Sequence, residues 1–211
     1  PRLAVGSTPP RFPWGAAASL VALSFLTAEY LSGNIRFPQI VLPQTILFLT
    51  LAYGFPALLI RELAVRRDLD FTAIAILGFA YGLFNEGICA KTLTLTKDVP
   101  INLFDGYGLL AGINVPWMFF ILAFHSWAAI LLPILVIHHF FPAEARRPWF
   151  DRKPLMAVAL VTALFGSAIF FLGDKPHPRG SPFHFAVYLL LTVGLALAAL
   201  RFKATAQPSA G

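Results

Sequence analysis

The sequence has little charge and almost no cysteine. Only 12% of its 211 residues are Asp, Glu, Lys or Arg, whereas 58% are hydrophobic and the mean hydropathy is +0.74. That composition excludes an ordinary soluble domain and is typical of a polytopic membrane protein. The single cysteine, Cys89, lies inside an apolar run, which excludes a disulfide framework and a CxxC-type metal site.

The positive charge of the chain indicates membrane topology. The net charge is +6 and the isoelectric point is about 9.8, values that also occur in nucleic-acid-binding proteins. Here the positive residues lie in short loops between apolar runs, where they set orientation. We therefore expect the lipid bilayer as a partner of this chain, and no nucleic acid.

Apolar runs predict the spans, because a transmembrane helix requires about 20 mostly apolar residues. The chain is predicted to be all-α, one transmembrane domain over residues 1–211 with about six helices and a flexible tail at 201–211. The predicted spans are about 14–31, 40–63, 71–93, 115–140, 155–172 and 183–200. Pro56 and Pro133 predict kinks, since proline lacks a backbone donor. Residues 96–114 are predicted to form a loop long enough to fold over a cavity.

Lys and Arg predict the orientation, because positive loops stay in the cytoplasm. With both termini inside, the outer segments hold only Arg36, Lys97, Lys175 and Arg179. The inner segments then hold Arg2, Arg11, Arg61, Arg66, Arg67, Arg146, Arg147, Arg152, Lys153, Arg201 and Lys203. We predict a multi-pass protein of the inner (cytoplasmic) membrane with cytoplasmic N- and C-termini.

The third span carries two ionisable residues, Glu86 and Lys91, among hydrocarbon side chains. Charged groups in a lipid-buried helix are costly and usually face a partner, a cavity or water. The same span is rich in small residues, which let another helix approach closely. The sequence therefore predicts a packed central helix with a polar site near one end, and a Gly-rich face on which membrane protein partners dock.

Four predicted helices bring ionisable residues to a similar depth. At about 1.5 Å of rise per residue, Glu29 and Glu86 lie in the outer half, His125 lies near the middle, and His184 begins the sixth span on the outer side. Asn34, Asn85 and Lys91 accompany them. This depth predicts an intramembrane Glu/His site in which buried Glu86 acts as acid or base. The structural alternative places Glu29 and His184 among headgroups and gives Glu86 a helix-holding role.

The same residues are candidate ligands for a metal ion or a pigment. Glu29, Glu86, His125 and His184 are zinc-binding types, and one membrane histidine suffices as an axial ligand for a chlorophyll-type magnesium. A four-ligand haem pair would need a second helix with the spacing of His125 and His138, and the sequence has none. We predict no cofactor, with zinc and a chlorophyll-type pigment left as alternatives.

Three segments occur in a suggestive order: FNEGICAK around Glu86, FFILAFH ending at His125, and HFAVY beginning at His184. They resemble the EExxxR, FxxxH and HxxxN-like motifs of the CAAX-protease and bacteriocin-processing (CPBP) family of intramembrane glutamic proteases. The resemblance implies a metal-independent membrane hydrolase with Glu86 as general base on water. It also implies that His125 and His184 stabilise an oxyanion or shuttle protons, and that Asn85 positions the water.

Two other functions remain open. One is a non-catalytic subunit of a larger membrane complex, which docks through the Gly-rich third helix and holds pigment or lipid between helices. The other is a proton-coupled transporter in which Glu29 and Glu86 are relay carboxylates.

Overall fold

The computed structural model describes residues 12–94, 107–172 and 180–204. Within these ranges the chain is mainly helical, with one two-stranded antiparallel hairpin in which Leu109–Leu110 pairs with Ile113–Asn114. The all-α prediction omits this hairpin. Most of the predicted cavity-covering loop (95–106) and of the predicted tail (205–211) lies outside the described residues.

Six long helices make up the described fold. They are Trp14–Phe25 continued by the π-helical segment Leu26–Tyr30, then Pro43–Arg67, Phe71–Cys89, Val115–Phe140, Arg152–Leu172 and Pro182–Ala199. The second to sixth are long and apolar enough to cross a membrane. The first is shorter, with 12 α-helical and 5 π-helical residues, because the chain then turns through Gly33 at a φ of 78°. Five of the described helices are thus long and apolar enough to cross a membrane, where about six spans were predicted.

Shorter helices connect these elements. A 3₁₀ turn at Gln39–Val41 precedes the second helix, and another at Thr92–Thr94 follows the third. A four-residue helix, Pro142–Ala145, links the fourth helix to the fifth.

Side-chain caps fix where three of the long helices begin. The Asp70 carboxylate accepts a hydrogen bond from the N–H of Ala73 at 2.9 Å. The Asn114 side chain accepts one from the N–H of Trp117 at 3.1 Å. The sixth helix begins at a capping box in which Ser181 and the ring of His184 bond reciprocally to backbone N–H groups. Hydrogen bonds from nearby backbone N–H groups to these side chains therefore determine where the three helices begin.

Pro56 distorts the second helix in a way that recruits a neighbouring side chain. A π-helical segment, Thr50–Gly54, lies just before this proline. Because proline has no N–H, the carbonyl four residues back loses its helical partner. The hydroxyl of Tyr81, on the third helix, donates to that carbonyl, Ala52 O, at 2.7 Å. The predicted kink is thus a π-helical distortion that links two helices.

Pro133 has the same effect on the fourth helix. The π-helical segment His125–Leu131 lies just before it, and in a π-helix each N–H bonds to the carbonyl five residues back. By the rule used for Pro56, the carbonyl that loses its partner is that of Ala129, and the neighbouring carbonyl of Ala128 is bonded from outside the helix. The hydroxyl of Thr27, on the first helix, donates to it at 2.5 Å.

The third helix is the centre of the packing, as its small residues predict. It packs mainly against the π-helical part of the fourth helix and against the sixth helix. A Cβ at Gly78 would lie 2.6 Å from Cα of Ser126, and one at Gly82 would lie 3.0 Å from Cβ of His125. Two helix backbones therefore meet at these glycines, and no larger side chain fits there.

A buried ion pair holds the C-terminal end of the second helix. Arg61 and Glu62 are both fully buried and lie 2.7 Å apart. The Arg61 guanidinium lies 3.7 Å from the ring centroid of Trp149, and Glu62 accepts the Trp149 N–H at 2.7 Å. Arg61 was counted among the inner positive residues although it lies within the predicted span 40–63; the structure places it inside the helix and fully buried. Its ion pair ties the connection between the fourth and fifth helices to the second.

The fifth and sixth helices lie at the periphery. Gly166 is the only buried residue of the fifth, and Tyr188 and Ala199 are those of the sixth. Their exposed surfaces are apolar, which suits contact with lipid hydrocarbon.

Candidate functional site

A cavity of about 700 Å³ lies among the first five helices. Its polar lining includes Glu29, Asn34, Arg36, Tyr53, Tyr81, Asn85, Glu86, Thr92 and His125. Its walls are mainly apolar and include Phe48, Trp117, Phe120, Phe124, Phe165 and Ile169. A largely apolar pocket with a few converging polar groups is the usual form of a small-molecule site.

Glu86, His125 and Asn85 meet in this cavity. Oε1 of Glu86 lies 3.5 Å from Nε2 of His125, and Nδ2 of Asn85 lies 2.9 Å from the same nitrogen. Glu86 and His125 are both buried. The ring nitrogen Nδ1 lies 2.9 Å from the carbonyl of Ile121, which only accepts, so Nδ1 carries the proton. The other ring nitrogen, Nε2, faces the amide of Asn85 and Oε1 of Glu86.

The other oxygen of Glu86 is held by the cavity wall. The Thr92 hydroxyl donates to Glu86 Oε2. The same hydroxyl accepts the indole N–H of Trp117 at 3.1 Å. This leaves Oε1 as the oxygen of Glu86 that faces His125.

A second carboxylate lies on the same cavity. Glu29 is buried and accepts hydrogen bonds from the hydroxyl of Tyr53 and from the side-chain amide of Asn34. The Tyr53 ring stacks on that of His125, with centroids 5.9 Å apart and planes 18° apart. Tyr53 thus contacts both Glu29 and the ring that faces Glu86.

Each of these key side chains lies on a π-helical segment. Glu29 is in Leu26–Tyr30, Tyr53 in Thr50–Gly54, Asn85 and Glu86 in Leu83–Cys89, and His125 in His125–Leu131. π-helical turns are rare and occur frequently at functional sites. Four of them around one cavity make this the strongest functional signal in the described chain.

The structure places other sequence-predicted site residues elsewhere. Nε2 of His184 lies 2.7 Å from the carbonyl of Ala111 and its Nδ1 accepts the Ser181 N–H, so the ring caps a helix at the hairpin and does not line the cavity. Lys91 donates to the carbonyl of Phe170 at 2.6 Å and lies outside the cavity lining as well. Residues that were expected at a similar depth therefore do not all face the same cavity.

Several cavity residues were missed by sequence reasoning. Tyr53, Tyr81, Thr92 and Trp117 were not predicted as site residues, and Arg36 was treated only as a topology charge. Pro56 offered one usable signal, since its freed carbonyl requires a donor such as Tyr81.

The residues considered for zinc do not assemble. Among the described residues, no group of three or more His, Cys, Asp or Glu side chains is arranged to hold a metal ion. His184 lies at the hairpin, away from Glu86 and His125. The prediction that the protein uses no cofactor stays a prediction.

The Gly-rich face of the third helix is occupied within the chain. Gly78 and Gly82 face the fourth helix, and a Cβ at Gly87 would lie 2.9 Å from the ring of Tyr188 on the sixth. At these positions no small-residue surface remains for another protein. Docking of protein partners stays a prediction.

Comparison with known proteins gives one match. Residues 19–201 match a family described as "Uncharacterized membrane protein family". The chain belongs to this family. The match covers most of the described fold and confirms the prediction of a helical, multi-pass protein in contact with a bilayer. No curated protein and no solved structure matches the chain.

The resemblance to CPBP proteases is wrong. The match is to the uncharacterized membrane protein family, and no CPBP match is found. The quoted motifs depart from that family at defining positions: Asn85 replaces the first paired glutamate, Ile121 replaces the Phe of FxxxH, and Tyr188 replaces the last Asn. Short patterns of Phe, Glu and His that tolerate such changes recur readily in apolar helices.

Proposed function

We propose that this protein is a membrane-embedded hydrolase, in which Glu86 activates water against an amphiphilic substrate that enters the cavity. The contact between Glu86 Oε1 and His125 Nε2, at 3.5 Å in a buried cavity, carries the proposal. A carboxylate and an imidazole at this separation suit general acid–base chemistry. The aromatic walls suit a substrate with a hydrocarbon part.

Glu86 is the general base in this proposal. Its Oε2 is bound by Thr92, so Oε1 takes the proton from water while the water oxygen bonds to the substrate carbonyl carbon. The carbonyl π-electron pair moves to oxygen and returns when the bond to the leaving group breaks. Protonated Glu86 then gives its proton to the leaving group, which restores the carboxylate and completes hydrolysis.

Asn85 and His125 have supporting roles. The amide of Asn85 lies 2.9 Å from His125 Nε2, and the Ile121 carbonyl holds the other side of the ring. These contacts fix the imidazole next to Glu86.

The test uses a long-chain p-nitrophenyl ester added to the purified protein in lipid nanodiscs, in water enriched in oxygen-18. We expect release of p-nitrophenol, with heavy oxygen in the fatty acid. Glu86→Gln keeps an oxygen to accept from Thr92 and should fold, yet it should lose activity by at least about a hundredfold. Release no faster than in protein-free nanodiscs would contradict the proposal.

Proton-coupled transport is the second candidate, and Glu29 is the observation that favours it. Two buried carboxylates line one cavity, and Tyr53 contacts both Glu29 and the ring of His125. Paired carboxylates of this kind serve proton relays in membrane proteins. The test is proton flux into liposomes that contain a pH-sensitive dye. This candidate requires flux that disappears in both Glu29→Gln and Glu86→Gln.

A further inference from the structure

A second large cavity, of about 1070 Å³, lies at the other end of the helices. It is a groove between the first, second and fifth helices and the connection before the fifth. Arg66, Arg147 and Arg152 line one end of it. Neither Glu86 nor His125 lines this groove, so it is independent of the proposed hydrolase site.

The charged end of the groove has a positive balance when the flanking residues are counted. Asp151, Glu62 and Glu144 offset the three lining arginines, and exposed Arg146 and Lys153 in the same connection add two positive charges. Asp151 is the only acidic residue in the described lining, against three arginines. Glu62 binds the Nε of Arg66 at 3.2 Å, and Glu144 pairs with Arg147. Arg152 is exposed, and its side chain has no hydrogen bond or ion pair to another described residue. Guanidinium groups bind phosphate through paired hydrogen bonds.

The rest of the groove is apolar. Ala18, Val21 and Ala22 line it from the first helix, and Ile46 and Leu58 from the second. The 12 steps from Ile46 to Leu58 rise about 18 Å, close to the half-thickness of the roughly 30 Å hydrocarbon core. An acyl chain of one leaflet fits that length.

Aromatic residues mark the junction between the two parts. Trp14 and Trp149 line the groove at its charged end, and the exposed fraction of Trp14 is 76%. Tryptophan is enriched at the level of the lipid headgroups. Along the groove, the arginines are therefore followed by aromatic rings and then by apolar side chains. A phospholipid presents its phosphate, its glycerol region and its acyl chain in the same order.

We propose that this groove binds an anionic phospholipid of the surrounding bilayer, with its headgroup at Arg147 and Arg152 and an acyl chain between the first and second helices. The net positive charge selects an anionic headgroup over a zwitterionic one. Basic pockets between transmembrane helices bind acidic lipids in this way.

The test is native mass spectrometry of the purified protein in mild detergent, with equal amounts of phosphatidylglycerol and phosphatidylcholine. The wild type should retain phosphatidylglycerol in preference. Arg147→Gln and Arg152→Gln should each weaken that retention about fivefold, as expected for loss of one basic residue at a membrane surface. Arg152→Gln alone is the safer variant, because no ion pair within the described chain is lost.

Arg67→Gln is the matched control. Arg67 is an exposed arginine at the same end of the second helix and does not line the groove. It should retain phosphatidylglycerol as the wild type does. Equal retention of both lipids by the wild type would overturn the proposal. So would a loss in Arg67→Gln as large as the loss in Arg152→Gln.

Discussion

Thr92 ties two buried polar groups to each other through a single hydroxyl. It donates to Glu86 Oε2 and accepts the indole N–H of Trp117 at 3.1 Å. Loss of that hydroxyl leaves a carboxylate oxygen and an indole N–H without their partner at the same time. A polar group stranded in this way costs free energy even where the shape of the site is unchanged.

Thr92→Val should therefore lower the stability of the protein by about 1–3 kcal/mol. The control is Thr162→Val, which also lines the cavity but loses only a bond to Val158 O in its own helix. That control should change stability by less than about 0.5 kcal/mol. Thermal unfolding in the same detergent measures both, and equal losses would show that the Thr92 bridge has no special role.

The Arg61–Glu62 pair is the most tightly enclosed charge in the described chain, with both side chains at 0% exposure. Glu62→Gln would leave the Arg61 guanidinium buried without its counter-charge, which typically costs about 3–5 kcal/mol. We expect a large fall in the thermal unfolding temperature, or loss of folded protein.

Glu144→Gln is the control for that change. Like Glu62, Glu144 pairs with an arginine, but the side chains of Glu144 and Arg147 are 24% and 29% exposed. Solvent screens such pairs, so this change should cost less than about 1 kcal/mol. A small effect of Glu62→Gln would mean that Arg61 finds other partners, such as the carbonyl of Glu144 that it already contacts.

At the scale of elements, the π-helical segments explain how separate helices build one site. A π-helical turn shifts the register of the side chains that follow and leaves carbonyls free for other partners. In the second and fourth helices a proline follows the segment, and Tyr81 and Thr27 donate to carbonyls four and five residues before that proline. The same irregular turns therefore link the helices and carry the polar groups of the cavity.

Gly78→Ala tests the close packing of the third and fourth helices. A Cβ there would lie 2.6 Å from the backbone of Ser126, so the helices must separate. We expect destabilisation of about 1–3 kcal/mol, measured by thermal unfolding. Gly194→Ala is the matched control, since nothing lies within 4 Å of its Cβ position. Because alanine favours helix over glycine, this control should stabilise the sixth helix by about 0.5–1 kcal/mol.

At the scale of the molecule, hydropathy alone predicted the helices well. The second to sixth helices match their predicted spans to within a few residues, because long apolar runs leave the backbone few alternatives to a helix in lipid. Depth alone predicted a common level for Glu86, His125 and His184, with Asn85 beside Glu86. The structure brings Asn85, Glu86 and His125 into contact and places His184 elsewhere, because depth does not fix the face of a helix. Tyr53 and Thr92 depend on tertiary packing, for which a single sequence carries no periodic signal.

The orientation of the molecule stays a prediction and is open to direct measurement. Cys89 is the only cysteine and is buried, so labelling of a variant reports the cysteine that was introduced. With cytoplasmic termini, a membrane-impermeant maleimide should label Gln39→Cys in intact cells. It should label Arg201→Cys only after the cells are opened. The reverse pattern would mean that the positive residues do not set the topology.

The most direct test of the proposed function compares two variants of the same cavity. Turnover of the long-chain ester in labelled water is measured for Glu86→Gln and for Glu29→Gln under identical conditions. Water activation by Glu86 predicts a loss of at least about a hundredfold in Glu86→Gln, with most activity kept in Glu29→Gln. Wild-type turnover in Glu86→Gln would contradict the proposed role of Glu86.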